Sequence, residues 1–257
     1  MAHIFAIANQ KGGVGKTTTT LNLGVALARQ KCRVLLVDLD PQASLTALLG
    51  LDPYQPRRSA YSLLMFPDVS VTRVMSALGT GLALIPASID LAVASVRLAQ
   101  GDGALDRLRA ALRESRVTFD YVLIDTPPGL DVLTAVGLMA ADEVIIPVKC
   151  DRLALLGIRA TWDAVQRIAG GKINPALRIR GILPTLFDPE MAHAQAVLQE
   201  IAAMLPGFLF ETLIPYDPFA ADAPHSGKTA VDYAPGSAAA IAYLMLAAEL
   251  TASETTR

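Results

Sequence analysis

The stretch NQKGGVGKTTTT contains the side chains best suited to bind a phosphate group. Three glycines, Gly12, Gly13 and Gly15, allow the backbone to curl so that successive N–H groups point at one anion. Lys16 supplies a full positive charge for the outer phosphates, and the Thr17 hydroxyl is suited to Mg²⁺. A glycine-rich turn without a function would need neither the lysine nor the hydroxyl at these positions. The stretch therefore predicts a nucleotide-phosphate loop.

The surroundings of this loop are those that a phosphate-binding loop needs. An apolar run at residues 4–8 precedes it, and residues 21–29 have the pattern of a helix. The start of a helix adds unsatisfied N–H donors and partial positive charge. The pattern G-x-x-x-x-G-K-[ST] is not met literally, because Lys11 occupies its first glycine position.

Carboxylates stand where two further predicted strands end. Asp38 and Asp40 follow one apolar run, and Asp125 ends another. Ligands of open α/β sheets bind at the carboxyl ends of the strands, and Asp125 would reach Mg²⁺ through a water molecule. Two alternatives stay open. In the first, Asp38 or Asp40 only caps the following helix. In the second, the TPPG turn at residues 126–129 only ends the strand and has no functional role.

These motifs together resemble those of the ParA/MinD/Soj family of P-loop ATPases. KGGVGKTTT is similar to the family's deviant Walker A motif. RVLLVDLDPQASLTALLG, at residues 33–50, and FDYVLIDTPPGL, at residues 119–130, look most like the Soj-type branch that partitions chromosomes and plasmids. The similarity extends over nearly the whole chain.

The resemblance implies ATP and Mg²⁺ as cofactors. It makes Asp40 the residue that orients or activates the attacking water. It places Thr17, Asp38 and Asp125 on the magnesium side. The residues expected to contact the nucleotide are Lys11, Gly12, Gly13, Val14, Gly15, Lys16, Thr17, Thr18, Pro184, Pro215 and Asp217. Asp217 departs from the asparagine that is frequent in relatives.

Lys11 precedes the loop glycines, so its side chain is badly placed to assist Lys16 within one subunit. In the family the matching lysine crosses a nucleotide-sandwich dimer and contacts the partner's phosphates, much as an arginine finger does. The resemblance therefore implies a homodimer that ATP favours and hydrolysis releases, with Lys11, Lys16 and Asp40 as catalytic residues. The alternative is a solvated lysine before a loop.

Composition and patterning predict one α/β domain over residues 1–257. The chain is 53% hydrophobic, and its apolar β-branched runs alternate with helix-length segments. This favours a doubly wound, mostly parallel sheet with helices on both faces. Two distant cysteines and the lack of a leader or a long apolar run favour a cytoplasmic protein without membrane contact. The predicted strands are residues 4–8, 33–38, 82–86, 121–125, 143–148, 179–183 and 209–214.

Positive charge is concentrated in one part of a chain whose net charge is only −2. Arg152, Arg159 and Arg167 are spaced to share one face of a helix within residues 151–170. We expect a stripe that binds DNA phosphates without reading sequence; the alternative is a solvated helix face. The full stripe is Lys149, Arg152, Arg159, Arg167, Lys172, Arg178 and Arg180.

The leading functional prediction is a partition-type ATPase that acts slowly on its own. A nucleoid-associated dimer would hold non-specific DNA, and a ParB-like partner would trigger hydrolysis. One alternative is a MinD-like or other cargo-positioning ATPase that does not rely on DNA. A MinD-like cycle on membranes would need a basic amphipathic C-terminal helix, and the tail AAELTASETTR has two glutamates and one arginine. A ligase or amidase of the cobyrinate or dethiobiotin type would share the loop but need a second substrate pocket.

Overall fold

The computed structural model describes residues 2–79, 81–101 and 105–255. Within them, seven strands form one sheet in the order β3-β4-β2-β5-β1-β6-β7. All neighbouring strands are parallel except β3 and β4, which are antiparallel. The strands are β1 (His3–Ile7), β2 (Val34–Asp38), β3 (Ser76–Gly79), β4 (Leu82–Ile85), β5 (Tyr121–Asp125), β6 (Glu143–Lys149) and β7 (Arg178–Thr185).

Helices cover both faces of this sheet, which confirms the predicted fold class. Alternate residues of β1 point to opposite sides: Ile4 and Ala6 join one apolar core, and Phe5 and Ile7 join the other. The helices are α1 (Lys16–Arg29), α2 (Ser44–Leu48), α3 (Ala60–Met65), α4 (Val71–Val74), α5 (Leu91–Ala99), α6 (Arg107–Ser115), α7 (Val132–Ala140), α8 (Ala154–Ala169), α9 (Ala192–Met204), α10 (Pro218–Asp222), α11 (Ala230–Tyr233) and α12 (Ala238–Thr255). None of the described helices is both long and apolar enough to cross a bilayer.

The sheet order brings the motif-bearing strand ends together. Strand β5 lies between β1 and β2, and its register pairs Ile7 with Asp125 on one side and Asp38 with Asp125 on the other. The glycine loop follows β1 directly, and α1 begins at Lys16. The loop and the two aspartates therefore share one edge of the sheet, as parallel strands require.

The predicted strand at residues 209–214 is wrong. The segment meets β7 only through isolated bridges at its two ends, Ile182 with Leu209 and Phe187 with Pro215. Between them the backbone N–H groups of Glu211 and Thr212 donate to the Glu249 carboxylate, at 2.9 and 3.0 Å. These donors face a side chain of α12, so no continuous ladder forms.

One strand, β3, was not predicted. It is a short edge strand that ends at Gly79, with a register shift against β4. Its sequence SALG has little β-branched or aromatic character, so propensity gives no signal. Long-range pairing with β4 makes it a strand.

Candidate nucleotide site

The glycine loop has the backbone that its sequence predicts. Gly13 and Gly15 have φ angles of +71° and +79°, a region that L side chains rarely adopt. Gly15 is also the residue before the first turn of α1, and its carbonyl accepts from Thr19 N at 2.8 Å. The free N–H groups of that first turn therefore open towards the loop.

Lys16 is folded into the loop and almost buried, with 7% of its surface exposed. Its Nζ donates to the carbonyl of Lys11 at 2.8 Å, which closes the loop on itself. Burial lowers the pKa of Lys16, while the carboxylates of Asp125 and Asp40 oppose that shift. An anionic ligand would satisfy the ammonium better than one carbonyl does.

Two residues that the sequence did not single out hold the loop. The Asn9 side chain is buried; its amide donates to Pro147 O at 2.7 Å and its carbonyl accepts from Lys11 N at 2.9 Å. Thr185, at the end of β7, donates from its hydroxyl to Val14 O at 2.8 Å. The loop is thus fixed to β6 and to β7, and only the folded chain reveals these contacts.

Asp125 ends β5 fully buried beside Lys16. Burial and the nearby Asp38 raise its pKa, and the Thr17 hydroxyl opposes the rise. Its Oδ2 has no hydrogen-bond partner within the described residues. A buried carboxylate oxygen without a donor fits a cation or a water bound to one. Thr17, Asp125 and the loop are therefore the residues that would hold Mg²⁺ with a nucleotide.

Both carboxylate oxygens of Asp38 accept hydrogen bonds from the segment that follows β2. One accepts from Asp40 N at 3.0 Å, and the other accepts from the N–H and hydroxyl of Thr46, at 2.9 and 2.7 Å. The same hydroxyl accepts from Ala87 N at 2.8 Å, which ties α2 to the end of β4. Burial raises the pKa of Asp38 to about 6. Asp38 therefore shapes the loop, and its direct contact with magnesium stays a prediction.

Asp40 lies in a tight turn at the edge of this site. Its Oδ1 accepts from Gln42 N at 2.9 Å, and its carbonyl accepts from Ala43 N at 2.8 Å. Ala43 has a φ of +52°, which is uncommon for a residue other than glycine. No group of three or more metal-ligand side chains occurs among the described residues. Magnesium in nucleotide sites needs only one or two carboxylates, since phosphates and water complete its shell.

Lys11 is held within its own chain by Asp151. Its Nζ lies 2.7 and 2.8 Å from the two carboxylate oxygens, and the two side chains are 28% and 32% exposed. Burial raises the pKa of Asp151, but hydrogen bonds from Lys11 and Leu153 N outweigh it, so the pKa is lowered. The Lys11 side chain therefore does not reach into the glycine loop of its own chain, and it is not free in solvent, because Asp151 holds it.

The turn after β5 packs against the glycine loop. Thr126 donates to Ile7 O at 2.8 Å, and Gly129 N donates to Gln10 O at 2.9 Å. A methyl group added at Gly12 would lie 3.7 Å from Cβ of Pro128. The turn therefore does more than end β5, because it contacts the end of β1 and the first residues of the glycine loop.

A small cavity of about 100 Å³ adjoins the loop at Gly15 and Thr18. Pro215 and Asp217, which the resemblance puts near the base, line it, whereas Pro184 lies buried in β7 and is not part of the lining; contact of any of the three with a base stays a prediction. The Asp217 carboxylate accepts from Phe219 N at 2.9 Å and from Ala239 N at 2.8 Å. It caps two helices, so little of its hydrogen-bonding capacity remains for a base.

The expected basic stripe is spread out. Lys149 and Arg152 lie at the carboxyl edge of the sheet, whereas Arg178 begins β7 at the opposite edge. The 16-residue helix α8 between them is about 24 Å long. The guanidinium of Arg180 lies 5.4 Å from the Phe210 ring and is partly buried. The other six cations of the stripe are exposed.

The class of the protein follows from the loop and the topology together. A mostly parallel sheet in which an inner strand leads through a glycine loop into a helix, with an aspartate ending the neighbouring strand, is the architecture of P-loop nucleotide-binding proteins.

Comparison with known proteins gives the family. A family model described as an AAA domain matches residues 2–179. The chromosome-partitioning ATPase Soj of Thermus thermophilus is 42% identical over 96% of this chain and 94% of its own length. The sporulation initiation inhibitor Soj of Bacillus subtilis is 39% identical over 98% of this chain and 100% of its own. The chain therefore belongs to the ParA/Soj family of ATPases.

A solved structure from Mycobacterium smegmatis has the same fold. It is described as cobyrinic acid a,c-diamide synthase with a bound ATP analogue and magnesium. It is 37% identical, with a TM-score of 0.85, and the match covers 100% of this chain and 98% of the other. The cofactors expected from the sequence, ATP and Mg²⁺, correspond to those in this structure.

Proposed function

We propose that this protein is a partition-type ATPase that binds Mg-ATP at the glycine loop and hydrolyses it to ADP and phosphate. The observation that carries the proposal is the buried pair of Lys16, at the start of α1, and Asp125, at the end of β5. Within the described residues, the lysine ammonium has one hydrogen-bond acceptor, a carbonyl, and one oxygen of the aspartate has no hydrogen-bond partner. A phosphate group with its magnesium ion would satisfy both.

The residues of the site have separate tasks in this reaction. Magnesium, when bound, would neutralise charge on the outer phosphates. Lys16 and the loop N–H groups bind those phosphates, and Thr17 and Asp125 face the metal side. Asp40 orients the attacking water from the edge of the site. Asp38 fixes the turn that carries Asp40, through its bond to Asp40 N.

The cycle that we propose needs two copies of the chain. Lys11 bonds Asp151 in the single chain, so it must exchange that carboxylate for a phosphate of the partner's nucleotide. Charge delivered in this way stabilises the transition state and couples hydrolysis to separation of the dimer. A ParB-like protein would accelerate a slow basal rate.

DNA binding belongs to the same proposal. The six exposed cations lie on α8 and on the segments at its two ends, and α8 is about 24 Å long, the length of roughly seven base pairs. They are Lys149, Arg152, Arg159, Arg167, Lys172 and Arg178. A dimer would present two such rows. Contacts of this kind read no sequence and weaken steeply with salt, which suits a nucleoid-associated protein.

A second candidate is ATP-dependent amide synthesis, because the mycobacterial relative carries that description. One experiment separates the two candidates. Phosphate release from Mg-ATP is measured alone, with duplex DNA and a partner encoded beside the gene, and with cobyrinic acid plus ammonia. Lys16→Ala is the control for contaminating ATPases. Stimulation by DNA and the partner supports partitioning; stimulation by the acid, with an amide product, overturns it in favour of the synthase.

DNA binding is tested by charge reversal. Arg152→Glu with Arg167→Glu should abolish binding to duplex DNA at low salt and leave nucleotide binding unchanged. The matched control is Arg73→Glu with Arg97→Glu, which changes net charge equally at exposed positions elsewhere. Each lost phosphate contact should also lower the slope of log affinity against log salt by about 1. Equal DNA affinity in both double variants would contradict DNA binding by the stripe.

A further inference from the structure

Thr161 is a fully buried residue of α8 whose hydroxyl bonds a distant part of the chain. The hydroxyl donates to Gly157 O, one turn earlier, at 2.8 Å. Its oxygen can also accept, and it accepts from the backbone N–H of Gln10 at 3.3 Å. This hydroxyl is the only acceptor of that N–H within the described residues. Because Gln10 lies two residues before Gly12, Thr161 joins α8 to the start of the glycine loop.

Other hydrogen bonds fix the backbone on both sides of Gln10. Its carbonyl accepts from Gly129 N, in the turn after β5, at 2.9 Å. The next residue, Lys11, donates from its N–H to the buried Asn9 side chain at 2.9 Å. Together with the bond to Thr161, three hydrogen bonds therefore determine the course of the backbone that carries Lys11.

The start of the same helix also holds the Lys11 side chain. Asp151 lies three residues before α8 begins, and its two carboxylate oxygens are 2.7 and 2.8 Å from Lys11 Nζ. Gly157 lets α8 approach Asn9 closely, since a Cβ at this position would lie only 2.9 Å from Asn9 Oδ1. The helix and the segment that leads into it thus contact both the backbone and the ammonium group around Lys11.

We infer that Thr161 is a positioning residue for Lys11: its hydroxyl sets the backbone from which the Lys11 ammonium reaches the nucleotide of a second copy of the chain. The inference rests on the proposed dimer cycle, in which Lys11 leaves Asp151 for that nucleotide. A displaced Lys11 would stabilise the transition state less, because such contacts depend steeply on geometry. A threonine that only packed α8 against the loop would affect stability and leave turnover unchanged.

Thr161→Val tests this role, because valine has nearly the same shape and no hydroxyl. Its kcat for phosphate release, at saturating Mg-ATP and a protein concentration that saturates the dimer, should fall by about 2- to 12-fold, the effect of one hydrogen bond. The affinity of the single chain for Mg-ADP, measured by calorimetry, should change by less than about twofold, because residues 12–17 bind the phosphates without help from Lys11. Thr161→Ser keeps the hydroxyl and should restore kcat.

Thr212→Val is the matched control. It removes the hydroxyl of another buried threonine, in the segment that bonds Glu249, and should leave kcat unchanged. Urea unfolding confirms that each variant is folded. The inference is overturned if Thr161→Val hydrolyses ATP at the wild-type rate, if Thr161→Ser is as slow as Thr161→Val, or if the affinity for Mg-ADP falls as much as kcat.

Lys11→Ala distinguishes failure of this inference from failure of the dimer cycle. A wild-type kcat in Lys11→Ala would refute the cycle, and the role of Thr161 with it. A slow Lys11→Ala together with an unaffected Thr161→Val would refute the role of Thr161 alone.

Discussion

The ion pair between Lys11 and Asp151 should oppose dimerisation, and Asp151→Asn should therefore strengthen it. Both side chains are about one-third exposed, so the pair contributes roughly 0.2–1 kcal/mol. A symmetric dimer must break it twice, which makes the total about 0.4–2 kcal/mol. The dissociation constant of the ATP-bound dimer should fall by about 2- to 30-fold. Asparagine preserves size and can still accept from Leu153 N, which Asp151 does at 3.0 Å.

The assay is sedimentation equilibrium with Mg-ATP, in an Asp40→Ala background that slows hydrolysis. Asp163→Asn is the matched control, because it removes the same charge from the exposed face of α8 without touching Lys11. The difference between the two variants should shrink at high salt, since the pair is screened. An unchanged or weaker dimer in Asp151→Asn would refute the reasoning, and a weaker dimer would indicate that Asp151 helps Lys11 across the interface.

Three further outcomes are expected. Lys16→Ala removes a charged contact to phosphate and should weaken ATP binding by about 10- to 150-fold; tight binding in calorimetry would contradict the loop assignment. Gly157→Ala would bring a methyl group within 2.9 Å of Asn9 Oδ1. Overpacking costs about 1–3 kcal/mol, and the higher helix propensity of alanine returns about 1 kcal/mol, so urea unfolding should show a net loss of ~0–2 kcal/mol of unfolding free energy. Nucleotide binding should also weaken, because Asn9 would be displaced. Unchanged nucleotide affinity would show that Asn9 does not support the loop. Because the folded-state pKa of Asp38 is raised to about 6, its contribution to stability is complete below about pH 3.8 and is lost as the pH rises through about 6. The nucleotide-free protein should lose up to ~3 kcal/mol of unfolding free energy over this window, and Asp38→Asn should show a shallower slope; an equal slope would contradict the assignment.

The sequence was sufficient to predict those parts of the site that depend on the local backbone and on residue type. Positive φ angles at Gly13 and Gly15 and the buried Lys16 follow from a motif in which neighbours along the chain are neighbours in space. Asp125 was predictable because an apolar run that ends in an acid places that acid at the edge of a parallel sheet.

The sequence was insufficient where contacts join distant segments. Lys11 and Asp151 are 140 residues apart, and Thr185 holds Val14 across 171 residues. No periodicity encodes such pairs. The wrong strand at residues 209–214 has the same cause, because Glu249 takes the N–H groups that a ladder would have used.

The mass of the Asp40→Ala variant in Mg-ATP tests the central claim most directly. One chain has a mass of 27.2 kDa. Light scattering after size exclusion should give twice this mass with Mg-ATP and the single-chain mass with ADP, and adding Lys11→Ala should abolish the dimer. A variant that binds ATP tightly and keeps the mass of one chain would contradict a cycle in which each copy completes the active site of the other.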